Sequence, residues 1–167
     1  MAGRSDMLAL LGQKGIEYRE ERHRAVFTME EMEEAGIAGH GRIAKNLFLR
    51  DDRKRSYYLV SVRPGMTVDL KALRHIIPSR PLSFASEEDL GAILGLSKGE
   101  VTPFGLLSDS CHRAVFVMDS FFTGGIIGIH PCDNTSTVFL RSEDLLSVLR
   151  ESGTECVIAA LQHEAAP

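Results

Sequence analysis

The sequence predicts a mixed α/β domain of the α+β class, a β-sheet core covered by helices. Three observations carry this expectation. Apolar runs of strand length alternate irregularly with segments of helical periodicity. Two of the runs, Leu47-Phe-Leu49 and Tyr57-Tyr-Leu-Val-Ser-Val62, flank a polar turn as the arms of a hairpin do. A third, Ala114-Val-Phe-Val-Met118, is continuously apolar, as a strand buried on both faces must be. With 167 residues the chain supports one full core and not two, so residues 1–167 are read as a single domain.

Taken in order, Ser5-Asp6 can cap a first helix that carries Met7, Leu8, Leu10 and Leu11 on one side, with Gly12 and Gly15 bracketing its end. Residues 17–23 are polar around Tyr18 and read as an edge strand or an exposed one. Thr28-Met-Glu-Glu31 is a capping box: the Thr28 hydroxyl can bond an open amide while Glu31 reaches back. It opens a short acidic helix ending at Gly36. A glycine-rich loop, 36–41, then delivers the chain to Ile43 and the 47–49 strand.

Asp51 to Arg55 reads as the hairpin turn, and Pro64-Gly65 stops the returning strand. Leu70, Leu73, Ile76 and Ile77 recur at helical spacing until Pro78. Leu82-Ser-Phe-Ala85 is a short strand. Ser86 and Asp89 start a helix with Leu90, Ile93 and Leu94 on its apolar side, closed by Gly95 and Gly99. Strands at 126–129 and 137–140 flank a polar loop, and Ser142 caps a last helix with Leu145, Leu146 and Leu149, ended by Gly153. Residues 154–167 read as a tail, a short apolar segment followed by fraying residues.

The hydrophobic fraction of 44% and charged fraction of 25% are those of a folded protein. A net charge of -4 argues against a protein that coats nucleic acid, because that mode needs many cations against phosphate. A local contact remains open through Arg50, Arg53, Lys54 and Arg55, although such a run alone is more often a solvated turn. Arg22-His23-Arg24 adds a smaller group. Cys111, Cys132 and Cys156 have no Cys-x-x-Cys spacing, which suggests neither a disulfide framework nor a zinc knuckle and fits a reducing compartment. No apolar run approaches the ~20 residues that span a bilayer, and the amino end lacks the pattern of a signal peptide, so the expectation is a cytoplasmic protein.

Three polar segments adjoin predicted strands and are read together as one site: Ala44-Lys45-Asn46, Gly99-Glu-Val-Thr102-Pro103 and Gly128-Ile-His130-Pro-Cys132-Asp133-Asn134-Thr135. Lys45 supplies a compact charge suited to a phosphate or a developing oxyanion, whereas a lone lysine at a strand end usually just snorkels to water. Gly99 permits close backbone approach and Pro103 fixes the shape of its loop, though a bare Gly-x-x-x-Pro is usually only a turn. His130 can bind substrate, hold a water or brace its loop. Asp133, Asn134 and Thr135 suit turn bonding and are supporting residues.

Lys45-Asn-Leu-Phe-Leu-Arg-Asp51, Leu82-Ser-Phe-Ala-Ser86, Gly99-Glu-Val-Thr-Pro-Phe-Gly105 and Gly128-Ile-His-Pro-Cys-Asp-Asn-Thr135 together resemble the four signatures of the bacterial prolyl-tRNA editing domains, the YbaK and prolyl-tRNA-synthetase-associated group. The likeness runs in unbroken order from about Lys14 to Arg150. It implies a partly barrel-like sheet and a metal-free, cofactor-free hydrolase that removes an amino acid, alanine above all, from mischarged tRNA(Pro). Cysteine and serine are alternative amino acids.

The resemblance puts Lys45 and His130 in catalytic positions and Asn46, Gly99, Thr102, Pro103, Phe104, Gly128, Asp133, Asn134 and Thr135 against the substrate. An aminoacyl ester is already activated, so such a site needs mainly to hold the terminal adenosine, place a water and stabilise the oxyanion. Excluding proline is a matter of size. Phe27, Met29, Met32 and Ile43 are the candidate pocket wall, unless they are plain core. The implied partners are the acceptor end of tRNA(Pro) and, transiently, prolyl-tRNA synthetase or an elongation factor; a monomer is expected. Two other readings compete: a cysteine hydrolase pairing Cys132 with His130, and a non-catalytic nucleic-acid-binding module built on Arg50 to Arg55.

Overall fold

The computed structural model describes residues 3–25 and 42–161. The 28–31 capping box, the acidic helix after it, the 36–41 loop, and Phe27, Met29 and Met32 lie outside the described residues.

Among the described residues eight strands form two sheets. In the larger, β2 (Lys45–Asp51) and β3 (Tyr57–Val62) make the predicted hairpin, β4 (Leu82–Phe84) lies antiparallel on the outer side of β2, and β5 (Ala114–Asp119) and β8 (Cys156–Ala159) extend the sheet in parallel beyond β3. The smaller sheet has the order β1 (Tyr18–Arg22), β7 (Ser136–Arg141), β6 (Ile126–Ile129), all antiparallel. The class is α+β, but the expected barrel is not closed. Among the described residues, the backbone link between the sheets is an isolated parallel bridge between Ile43 and Gly128.

Strand alternation explains the layers. One face of the large sheet, with Leu47, Leu49, Val60, Val62 and Val117, packs on Leu73 and Ile77 of α2 (Leu70–Ile76) and just beyond it, and on Met66. The other face, with Phe48, Leu59, Phe116 and Met118, meets the inner face of the small sheet (Ile127, Ile129, Val138, Leu140). It also meets Met7 and Leu11 of α1 (Arg4–Gln13) and Leu145 and Leu149 of α4 (Ser142–Glu151). Each fully buried side chain of this kind contributes roughly 1.5–3 kcal/mol. β5 pairs on both edges and is covered on both faces, which accounts for its unbroken apolar run.

Several boundaries differ from expectation for local reasons. Gly3, not Ser5 or Asp6, is the N-cap of α1; Asp6 instead accepts a bond from the Gly3 amide at 3.0 Å. Ser86 does cap α3 (Glu87–Asp89), which continues as a π-helical turn, Leu90–Leu94, and Gly95 at φ 68° ends it. Gly99, at φ 88°, belongs instead to a separate turn, where the Glu100 amide donates to Ser97 O. Ser142 is the first residue of α4, not its cap. The supposed loop after Thr102 is a 3₁₀-helix, Pro103–Ser108. The supposed tail supplies β8 and the buried Leu161. Among the described residues no helix is long and apolar enough to cross a membrane.

Candidate functional site

The site is built where the two sheets join. The Ala44 amide donates to Gly128 O at 2.9 Å, and Ile43 and Gly128 bridge in parallel. A Cβ on Gly128 would stand 3.1 Å from Ile43 Cγ1 and 2.7 Å from the Phe139 ring, so glycine is what allows the two strands to close. It also shows which way this position faces, towards Ile43. Lys45, two residues past Ile43, opens β2, and His130, two residues past Gly128, follows the end of β6, so the join brings the two segments together. Lys45 is exposed and His130 half-buried. Asn46 turns to the other face, where its side-chain oxygen accepts from the buried Ser61 hydroxyl.

His130 is fixed on both sides of its ring and backbone. Its Nδ1 lies 2.8 Å from Ser136 O, a carbonyl that can only accept, so Nδ1 carries the proton and Nε2 the lone pair. The Thr102 hydroxyl, wholly buried, donates to His130 O at 2.6 Å. Burial pushes the imidazole below its ordinary pKa against the opposing pull of the Ser136 bond, and neighbouring His23 lowers it further. The ring is therefore neutral at pH 7. In the following loop the Thr135 amide and hydroxyl both donate to Asp133 Oδ1, at 2.8 and 2.6 Å, which holds Asp133 ionised below its usual range. This is an Asx-type turn, with Asn134 buried within it.

Cys132 is packed against the core rather than presented for chemistry, and burial pushes its thiol up to about 12. A thiol that stays protonated near neutral pH is a poor nucleophile, which removes the physical basis of the cysteine-hydrolase reading.

Other expected contacts are also redistributed. Phe104 is entirely buried in the core and Thr102 is committed to the His130 carbonyl, so both support the site from beneath instead of touching a ligand. Pro103 is buried as the first residue of the 3₁₀-helix. Ile43 is itself core. Arg50 bonds Asp89 at 2.8 Å and is partly buried, leaving Arg53, Lys54 and Arg55 as the exposed cations of the turn. That turn lies at the far end of the seven-residue β2 from Lys45, about 20 Å away at ~3.4 Å per residue.

Sequence reading missed the support on the other flank. The His23 ring is 6.3 Å from that of His130, with Nδ1 donating to Arg24 O at 2.7 Å and Nε2 accepting from Thr137 Oγ1 at 2.9 Å. The Ser136 hydroxyl donates to Glu20 Oε2 at 2.6 Å, and Arg4 grips the same carboxylate through two nitrogens. The Arg4 bonds hold Glu20 below its ordinary pKa. The β1–β7 register sets Arg22 opposite Ser136 and so carries His23 to the loop; nothing local in the sequence announces it. Among the described residues no three His, Cys, Asp or Glu side chains gather as a metal site would require.

Residues 23–148 match the aminoacyl-tRNA editing domain family, most of the chain and all of the join described above. The chain belongs to that family and is an aminoacyl-tRNA deacylase, a hydrolase of the ester between amino acid and tRNA. It is 40% identical over 154 residues to the prolyl-tRNA editing protein ProX of Acetoanaerobium sticklandii, covering 92% of this chain and 94% of that one. It is 33% identical over 166 residues to the prolyl-tRNA synthetase associated domain-containing protein 1 of Mus musculus, covering 95% and 98%. The fold is also that of a crystal structure described as a candidate trans-editing enzyme for prolyl tRNA synthetase, with a TM-score of 0.66 at 18% identity over 95% of this chain and 98% of that chain.

Proposed function

We propose that this deacylase works in trans on tRNA(Pro) that has been charged with the wrong amino acid, and that alanine is the amino acid it removes. The observation that supports this reading is the Ile43–Gly128 join, from which the segments bearing Lys45 and His130 both leave. The 40% identity to a prolyl-tRNA editing protein supports the choice of tRNA.

In this reading the Lys45 ammonium faces the ester oxygen that becomes negative, or the phosphate beside it, and stabilises the charge as it develops. His130 offers the lone pair of Nε2 to the attacking water or to a ribose hydroxyl, and its neutral state at pH 7 leaves that acceptor free. The Gly99 and Gly128 backbone borders the ester, while Asn46, turned to the other face, braces the strand through Ser61, with Asp133, Asn134 and Thr135 shaping the loop. Arg53, Lys54 and Arg55, about 20 Å along β2, meet the phosphates of the acceptor stem. Proline is kept out because a pocket sized for alanine has no room for its ring. The protein acts as a monomer in the cytoplasm, meeting prolyl-tRNA synthetase or an elongation factor only in passing.

A panel of tRNA(Pro) carrying alanine, cysteine, serine or proline tests this. Release of alanine well ahead of the others is expected, and loss of release in Lys45→Ala. Preferred release of cysteine or serine would reassign the pocket, and no release from any of them would overturn the reading.

A further inference from the structure

At the same end of the large sheet as Lys45 lies a group of side chains that no step above uses. Arg63 follows the end of β3, Asp119 ends β5, and Phe121 comes two residues later. Phe121 is 36% exposed, unusual for a phenylalanine beside a core, and two guanidinium carbons sit over its ring, that of Arg42 at 4.8 Å and that of Arg63 at 5.2 Å. Phe122 meets the ring edge-on at 5.1 Å and is fully buried, so it anchors the assembly.

The arrangement is held from behind. Arg42 Nε donates to Ile126 O at 2.9 Å, and Arg63 Nε is 3.5 Å from the Asp119 carboxylate, which is 1% exposed and also accepts the Phe121 amide. Room for Arg42 comes from Gly125: a Cβ there would lie 2.1 Å from Arg42 Nη2. Together these contacts fix the two guanidinium groups in position beside a ring that reaches the solvent.

We propose that Phe121, Arg42 and Arg63 form a stacking platform for an unpaired base of the acceptor strand, the one next to the esterified terminal adenosine. Single-stranded RNA is recognised chiefly by laying its bases on aromatic rings and guanidinium planes, with cations serving the backbone. Arg42 is three residues from Lys45, so their Cα atoms are at most about 11 Å apart by chain length alone, which keeps the platform and the lysine at one end of the sheet. The proposal rests on the reading of the protein as a tRNA deacylase, and it adds where the strand leading to the ester is held.

The test measures binding of the trinucleotide CpCpA and of the same trinucleotide made abasic at its middle position, by titration against the wild-type protein, Phe121→Leu and Arg42→Gln. Release of alanine from alanyl-tRNA(Pro) is followed separately, so that failure of the deacylase reading registers there and not in the binding ratio. Wild type should prefer CpCpA over the abasic probe by about tenfold, the magnitude of one stacked base. Phe121→Leu, which keeps an apolar cover but no ring, should bind the two probes equally, and Arg42→Gln should narrow the gap. A wild-type protein indifferent to the missing base, or a preference that survives in Phe121→Leu, overturns the proposal.

Discussion

Thr102 and His130 are 28 positions apart, yet the hydroxyl of the first holds the backbone oxygen of the second at 2.6 Å. The bond ties the start of the 3₁₀-helix to the loop that begins at His130. Replacing Thr102 by valine keeps the volume and leaves the His130 carbonyl unpaired in a buried place, a cost of about 1–3 kcal/mol. Urea unfolding should register that loss, and kcat should fall more than KM rises. Thr102→Ser should recover most of both.

Lys45→Ala and Cys132→Ala should separate cleanly. Removing a charge that meets the developing oxyanion costs on the order of 10²-fold in rate, so the lysine variant should lose nearly all alanine release. The cysteine variant should keep a rate near that of the parent, because the thiol is protonated and turned into the core. Inactivity of Cys132→Ala in a folded protein would restore the cysteine mechanism.

Acid should weaken the protein in two windows. The folded His130 holds its proton less tightly than the unfolded chain, whose imidazole titrates near 6.5. Its stability contribution is therefore full above that value and is lost as pH falls from 6.5 towards the lower folded pKa. Glu20, lowered by Arg4, contributes above its ordinary 4.5 and loses that contribution as pH falls through its own folded pKa. Melting temperature against pH should decline in these two steps, and His130→Gln should flatten the first alone. Deacylation should hold level down to about pH 6.5, with an NMR titration of the imidazole placing its fall.

Gly128→Ala puts a methyl group against the Phe139 ring and Ile43 at the bridge that links the two sheets. Overpacking of this kind costs typically 1–3 kcal/mol. A lowered melting temperature is expected together with a loss of alanine release larger than stability explains, because the strand carrying Lys45 must shift. Gly12→Ala, which meets nothing within 4 Å inside α1, serves as the control and should leave the protein at least as stable.

Most strands were legible because their patterns are local: the 57–62 run, the continuous apolar β5 and the hairpin between β2 and β3 all lie where the residues suggest. The three polar segments do touch, Ala44 bonding Gly128 and Thr102 bonding His130. What the sequence could not disclose depends on pairings between distant parts of the chain. Glu20 and His23 reach the site only because β1 lies antiparallel to a strand more than a hundred residues later. Phe104 reads as a loop residue until the 3₁₀-helix turns it inward. The 154–159 segment looks like a tail because four residues of strand are too short for a strong periodic signal.

That late strand has a bearing on how the protein is made. β8 is the last neighbour β5 acquires, so a ribosome that has released everything up to Gly153 holds a sheet whose most apolar strand still offers an open edge. Such an edge can recruit another nascent chain. Synthesis halted just short of Cys156 should thus yield an aggregating chain, with the four residues of β8 acting as the latch on the sheet.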